Sequence, residues 1–427
     1  MRVDSISDQA ESLPAKSFSS RQFVKDAVLK WFQCLQLGSL TLIDGDEHYY
    51  FGEQKNTHVN PELISATVVV HHPSFYSEIL FGGAVGSGES YMRGNWSSPC
   101  LVDAIRVLSK NLKALERLNG KTQIAKKILL RCYQMLTMNS VQGSKKNISA
   151  HYDLGNDFFS LFLDPTMMYS AGIWQDESIT LEEASIAKLD AICQKLSLTG
   201  QDHVVEIGTG WGGFAVYAAS EYGCKVTTTT ISKQQYDYAC AKVNQLNLED
   251  KVTVLMQDYR ELEGKYDKLV SIEMIEAVGH KYLPGFFKKC DSLLIDEGVM
   301  LIQAITISDQ RYHKARKSID FIQRYIFPGG CLPSNAIFAK HVAQDTNMQL
   351  VDLHDITHDY ALTLKHWRER FFERLSEVKQ QGFNDTFIRM WDFYLCYCEG
   401  AFRERAIQTA QFVVEKPQCH YQPKRIR

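Results

Sequence analysis

An α/β protein with a doubly wound, Rossmann-like sheet, preceded by a smaller strand-rich domain, is predicted by three features of the sequence. The stretch His203 to Ala218, HVVEIGTGWGGFAVYA, reads as a short buried strand, a glycine turn and the opening of a helix. Apolar strand patterns at Lys225 to Thr230, Val252 to Met256, Lys268 to Ile272 and Val299 to Ile305 alternate with helical ones such as Tyr282 to Leu294. That rhythm belongs to a parallel sheet with its ligand crevice outside the strand carboxyl ends. The length of 427 residues exceeds one ordinary core and indicates two to three domains.

Residues 1–20 predict a disordered tail, with neither the basic start nor the apolar core of a signal peptide. A helix follows near Arg21 to Leu35. From Gly38 to Val70 apolar and polar residues alternate around turn signals such as Asp44-Gly45-Asp46, and Ala66 to Val70 is rich in β-branched residues. Gly82, Gly83, Gly86, Gly88 and Gly94 predict a loosened stretch, after which Leu101 to Leu118 returns to helical spacing. Residues 21–118 are therefore expected to form an accessory domain, and they show no catalytic constellation.

Residues 119–147 read as a basic helical linker. From Leu101 to Lys146 ten Lys and Arg face only Asp103 and Glu116, in a chain of net charge −3. Ile124, Ile128, Leu129 and Leu136 suit the apolar face of a helix whose other face carries Lys126, Lys127 and Arg131, a pattern fitted to an anionic membrane surface or to a solvated interdomain face. Nucleic acid is not expected, because no aromatic-interleaved or zinc motif accompanies the charge. The 11 cysteines are scattered without a CxxC pair, which predicts reduced thiols and no metal site. No apolar run reaches membrane-spanning length, so the expectation is a cytoplasmic protein that meets membranes peripherally.

Residues 148–427 carry the second domain. His151 to Trp174 is dense in aromatics yet broken by Gly155, Asn156, Asp157 and Pro165, a composition suited to a pocket lid. Thr180 and Glu183 predict a capping box on a helix running to Leu196. The spacing Gly208-x-Gly210-x-x-Gly213 also fits a dinucleotide site, but that site needs an acid closing the second strand, where Ile231-Ser232 stands. Glu206, at the end of the first strand, instead suits S-adenosylmethionine (SAM). Ser232 with Gln235 reads as a second helix cap, with a ligand contact as the other reading of Gln235. Asp258, Glu273, Glu276 and Gln303 fall at or just after strand ends, and two aromatic-rich helical stretches are expected to run to near Val414.

The motifs HYDLGNDFF, LFLDPTMMYS, EIGTGWGGFA, TISKQQ, QDYRE, SIEMIEAVG, YIFPGGCLPS and EGAFRER resemble, in this order, those of the cyclopropane-fatty-acid synthase family, over about two thirds of the chain. The resemblance implies a class I methyltransferase sheet and transfer of a methyl or methylene group from SAM to the cis double bond of an unsaturated phospholipid acyl chain. It implies that Tyr169 and Ser170 touch the methionine part of SAM, Gly208, Gly210 and Gly212 the nucleoside side, Gln235 the ribose, and Asp258 with Tyr259 the adenine region. Glu276 and Tyr360 match positions around the reacting carbon. Backbone at Ala171 and Ile305, with Gln303, matches positions that hold a bicarbonate ion used as base, although the family often carries cysteine and histidine where Ala171 and Gln303 stand. A lipid-contacting, homodimer-forming role is implied for the accessory domain.

The chemistry explains these residue types. An alkene is a weak nucleophile, so the site must hold its π bond against the methyl donor in a long apolar slot that excludes water. The carbocation that follows calls for aromatic faces and a carboxylate, with Tyr152, Phe158, Phe159, Tyr169, Glu276 and Tyr360 as candidates. Phe158, Phe159 and Phe162 in one window suit an ordinary core more readily than a cation cage. Proton loss with ring closure gives cyclopropane, and a preceding hydride shift with the same proton loss gives a methylene branch; methylene- or methyl-branched products of the same family are the rival reading. A SAM- or lipid-binding protein without catalysis is the reading from another class, suggested only by Ala171 and Gln303.

Overall fold

The computed structural model describes residues 15–53, 63–118 and 154–419. Residues 1–14, the basic segment 119–147 with Lys126, Lys127 and Arg131, and His151 and Tyr152 lie outside the described residues.

The N-terminal helix spans Ala15–Phe32, starting six residues before Arg21. Strands β1 (Ser39–Asp44) and β2 (Glu47–Gly52) form a hairpin turning at Gly45, and β3 (Ser65–Val70) lies parallel to β1 with the short β4 (Trp96–Ser97) on its far side. Leu40 and Leu42 on β1 and Ala66, Val68 and Val70 on β3 are buried at every second position, the period of a half-covered sheet. The glycine-rich stretch is not loosened as expected. It forms a helix, Ser74–Met92, bent at Gly83 (φ 58°, ψ −139°). A Cβ on Gly88 would stand 2.3 Å from the Phe321 ring, so the glycines there permit close helix packing. The next helical stretch divides into Leu101–Lys110 and Leu112–Leu118 at Asn111, whose amide donates to the carbonyls of Leu37 (2.7 Å) and Val107 (2.8 Å).

The second sheet has seven strands: β5 (His203–Ile207), β6 (Lys225–Thr230), β7 (Val252–Met256), β8 (Tyr266–Ile272), β9 (Leu294–Ile307), β10 (Gln349–Asp355) and β11 (Ile407–Glu415). Their order is β10-β11-β9-β8-β5-β6-β7, with β5 to β9 parallel and β11 antiparallel to both neighbours. The expectation that helix runs to near Val414 is corrected by β11. The helices are Thr357–Glu373 and Asp385–Arg403, and IQTAQFVVE then enters the sheet, where Ala410, Phe412, Val413 and Val414 are buried from both sides. A strand covered on both faces loses the alternation that announces it.

The four-stranded sheet and the C-terminal helices share one apolar core, against which Ile305 and Ile407 of the seven-stranded sheet pack. Tyr91 donates to Asp392 at 2.6 Å, and Arg106 pairs with Glu404 at 2.7 Å. Phe158, Phe159, Phe162, Trp367 and Trp391 pack edge to face at the centre of this cluster. No described helix is long and apolar enough to cross a membrane. The ten described cysteines are free thiols, and no described group of His, Cys, Asp and Glu could hold a metal ion.

Candidate active site

The order of strands reverses at β5, which lies between β6 and β8, and the crevice above their carboxyl ends is where such folds bind ligands. Beyond Ile207 the chain turns through Gly208 (φ 103°), Gly210 (φ 52°) and Gly212 (φ 84°) into the helix Gly213–Tyr217. A Cβ on Gly210 would meet nothing within 4 Å, so this backbone borders open cavity instead of packed core. Glu206 is buried at the end of β5 and accepts the Thr228 hydroxyl at 2.6 Å. Burial pushes its carboxyl up to about 8.

Gln235 serves as part of a helix start and as cavity wall at once. Its N–H is capped by Ser232, while its Oε1 accepts the Thr230 hydroxyl at 3.0 Å. The Thr180–Glu183 capping box forms as expected. Asp258 is held by Arg260 at 2.6 Å and lines the cavity beside Tyr259, whose ring meets Phe286 edge to face.

On the opposite wall, Ser170 accepts a 2.8 Å hydrogen bond from Lys188, a fully buried lysine of the helix Leu181–Lys195. Burial draws the Lys188 ammonium down to about 8 against the pull of Glu273, Asp164 and Glu206. Tyr169 shares a 2.9 Å hydroxyl contact with Tyr394.

Two carboxylates, Glu273 and Glu276, follow the end of β8 on the cavity wall. Glu273 Oε1 accepts the Ala171 N–H (2.9 Å) and the Gln303 side-chain amide (2.8 Å), and its Oε2 accepts the Tyr360 hydroxyl (2.7 Å). Glu276 Oε1 accepts the Ile305 N–H, and its buried Oε2 has no hydrogen-bond partner among the described residues. Burial raises the Glu273 carboxyl while its three donors and the Lys188 charge pull it down. Burial and then the Glu273 charge push Glu276 up to about 8. Both side chains line the cavity, so the surface they retain faces cavity and not bulk water. The three donors on Glu273 favour its ionised form, and its charge disfavours that of Glu276. Glu273 also has φ 50°, a left-handed conformation that costs a residue other than glycine roughly 1–3 kcal/mol.

A single cavity of about 1170 Å³ joins these parts. It runs from the glycine turn past Glu273, Glu276 and Tyr360 to Phe32, Leu40, Phe75, Ile79 and Leu115 of the N-terminal region. The fold gathers Tyr169, Ser170, Glu206, Gly208, Gly210, Gln235, Asp258, Tyr259, Glu276, Ile305 and Tyr360 on the wall of this cavity, while Gly212, Ala171 and Gln303 stand off the wall, the last two hydrogen-bonded to Glu273 on it. Phe158, Phe159 and Phe162 are the exception among the cation candidates, being wholly buried in the core and absent from the cavity wall. Tyr169, Tyr360, Tyr394 and Phe402 supply the aromatic wall instead, with Tyr360 stacked on Phe402 at 4.4 Å. Sequence reasoning assigned no role to Glu273, Lys188 or Gln411. The signal for Glu273 was present, since it is an extra acid closing β8 in a chain whose Ala171 and Gln303 depart from the pattern.

The open backbone at Gly210, the buried acid at Glu206 and the polar wall at Ser170 and Gln235 fit SAM. Bicarbonate does not fit, because the donors of Ala171, Gln303 and Tyr360 are engaged by Glu273 and that of Ile305 by Glu276.

The sheet order, the glycine turn and the crevice define a SAM-dependent methyltransferase of the class I fold. Within that class the chain belongs to the mycolic acid cyclopropane synthetase family, whose model matches residues 139–412. It is 37% identical over 354 residues to the cyclopropane-fatty-acyl-phospholipid synthase of Escherichia coli (strain K12), covering 82% of this chain and 88% of the relative. It is 35% identical over 356 residues to the tuberculostearic acid methyltransferase UfaA1 of Mycobacterium tuberculosis, covering 82% and 83%. Among solved structures, mycolic acid cyclopropane synthase CmaA1 complexed with SAH and CTAB superposes with a TM-score of 0.60 at 30% identity, covering 64% of this chain and 98% of that one.

Proposed function

We propose that the protein methylates the cis double bond of unsaturated acyl chains in membrane phospholipids and closes the product to a cyclopropane. The observation that carries this reading is the continuous cavity, which leads from the glycine turn past a carboxylate pair into an apolar slot in the N-terminal region. Arg311, Lys314, Arg316, Lys317 and Arg324 line the same cavity, a basic set suited to a phosphate head group. The basic segment 119–147 supplies the docking charge for an anionic bilayer.

SAM supplies an electrophilic methyl group when bound. The chain's residues do the rest: Gly208, Gly210 and Gly212 admit the nucleoside, Glu206 and Gln235 meet its ribose, Asp258 and Tyr259 its base, and Tyr169 and Ser170 its amino-acid end. The aromatic wall around Tyr360 excludes water and faces the carbocation that develops on the acyl chain. Its proton is then taken by a carboxylate already in place. That carboxylate is seated on the donors that the resemblance assigns to the family's base, which favours prompt removal of a proton from the transferred methyl, before a hydride shift, and hence ring closure.

A methyl- or methylene-branched product is the second reading, favoured by a relative named for tuberculostearic acid at nearly the same identity and coverage. Incubation with isotopically labelled SAM and unsaturated phospholipid vesicles tests the whole reading. Acyl chains heavier by one CH2 unit and carrying the label support it, and unmodified lipid beside intact SAM binding removes it.

A further inference from the structure

Glu273 occupies a backbone position that glycine would hold without strain, at φ 50°. Its side chain nevertheless collects three donors from three separate elements: the Ala171 N–H, the Gln303 amide and the Tyr360 hydroxyl. The direction of Gln303 is fixed from behind. Its Oε1 accepts from Gln411 Nε2 at 3.0 Å, and Gln411 Oε1 accepts from Lys195 Nζ at 2.9 Å, so the donor end of Gln303 turns to Glu273. A carboxylate that is positioned this fully, in a strained conformation and on the wall of the reaction cavity, is placed for chemistry.

We propose that Glu273 is the base of the reaction, a carboxylate built into the chain in place of a bound bicarbonate. The inference rests on the acyl-methylation reading above. The alkene π pair forms the new bond to the methyl carbon, while the carbon–sulfur pair stays on sulfur, which leaves as a neutral thioether. One C–H bond of the transferred methyl then breaks. Its electron pair closes the ring onto the cationic carbon, and the proton goes to Glu273 Oε2, which keeps a lone pair beyond its bond with Tyr360. Glu276 accepts only the Ile305 N–H, without the converging donors that position Glu273, and is the companion acid and not the acceptor.

The test uses the full-length protein with SAM and unsaturated phospholipid vesicles in buffer stripped of bicarbonate. The native protein keeps its turnover when bicarbonate is removed and shows no saturable bicarbonate binding in calorimetry. Glu273→Gln, which keeps the shape without the basicity, loses about 100-fold or more in turnover while SAM affinity stays within about threefold. Glu273→Gly relieves the backbone and frees the three donors, so it binds bicarbonate, and added bicarbonate or formate restores part of its turnover. Saturable bicarbonate binding by the native protein, loss of its turnover on stripping, or full turnover in Glu273→Gln would each overturn the proposal. A native protein that binds SAM but methylates no unsaturated lipid removes the acyl reading. The bicarbonate titrations of the native protein and of Glu273→Gly still decide the base site in that case.

Discussion

The Tyr360 hydroxyl donates to Oε2 of Glu273 at 2.7 Å, tying the helix Thr357–Glu373 to the end of β8 on the wall of the cavity. Burial and the Glu273 charge hold the Tyr360 phenol well above its usual range, so it stays a donor throughout the working pH. Tyr360→Phe keeps the stacking on Phe402 but removes this bond. The expected loss is about 10- to 100-fold in turnover, matching roughly 1.5–3 kcal/mol for a hydrogen bond to a charged group. Without the donor Glu273 holds its proton more tightly, so the acidic limb of the rate profile moves to higher pH. A pH-rate series on both proteins checks both effects.

Gly210→Val is expected to abolish SAM binding and leave the fold intact. The position has φ 52° and borders open cavity, so the added side chain strains the turn and fills the nucleoside approach without entering packed core. Calorimetry with SAM, beside circular dichroism, separates the two.

SAM affinity should rise with pH, levelling above about 8, while that of its neutral thioether product changes less. Below that pH Glu276 and Glu206 are protonated and Lys188 is charged. A sulfonium favours ionised carboxylates and an uncharged lysine, so binding releases protons and higher pH assists it. Parallel titrations of the two ligands from pH 6.5 to 9 measure the difference, and Glu276→Gln should flatten it.

Gly88→Val tests the packing of the N-terminal region against the helix Phe321–Tyr325. The new Cβ would meet the Phe321 ring at 2.3 Å, so one side must move. A loss of about 1–3 kcal/mol is expected, read as a lowered unfolding midpoint.

Reversing Lys126, Lys127 and Arg131 to glutamate should weaken binding to anionic vesicles steeply. Each basic residue near such a surface contributes roughly 1 kcal/mol, and the attraction is screened beyond about 8 Å at physiological ionic strength. Co-sedimentation at two salt concentrations checks it, with the native protein expected to lose affinity as salt rises.

Much of the fold was legible because its signals are local. The strands Lys225–Thr230 and Val252–Met256, the capping box at Thr180 and the glycine turn each announce themselves within a few residues. What escaped depends on distant partners. The strand Ile407–Glu415 is buried on both faces, so it lacks strict alternation and looks helical beside its neighbours. Gly88 reads as a breaker until Phe321 lies against it. Glu273 was visible as an acid at a strand end, but its role emerges only when Ala171, Gln303 and Tyr360, from three other elements, converge on it. The aromatic run at Phe158 carried both a core and a cation-cage reading for the same reason, since composition does not tell which wall a ring faces, and the structure places it in the core.

Proton NMR of phospholipid recovered after incubation with the native protein and SAM in bicarbonate-free buffer reads the product and the base at once. Upfield cyclopropane ring protons, formed without bicarbonate, are expected. Vinylidene protons alone, or lipid that gains no carbon, would contradict the proposed reaction.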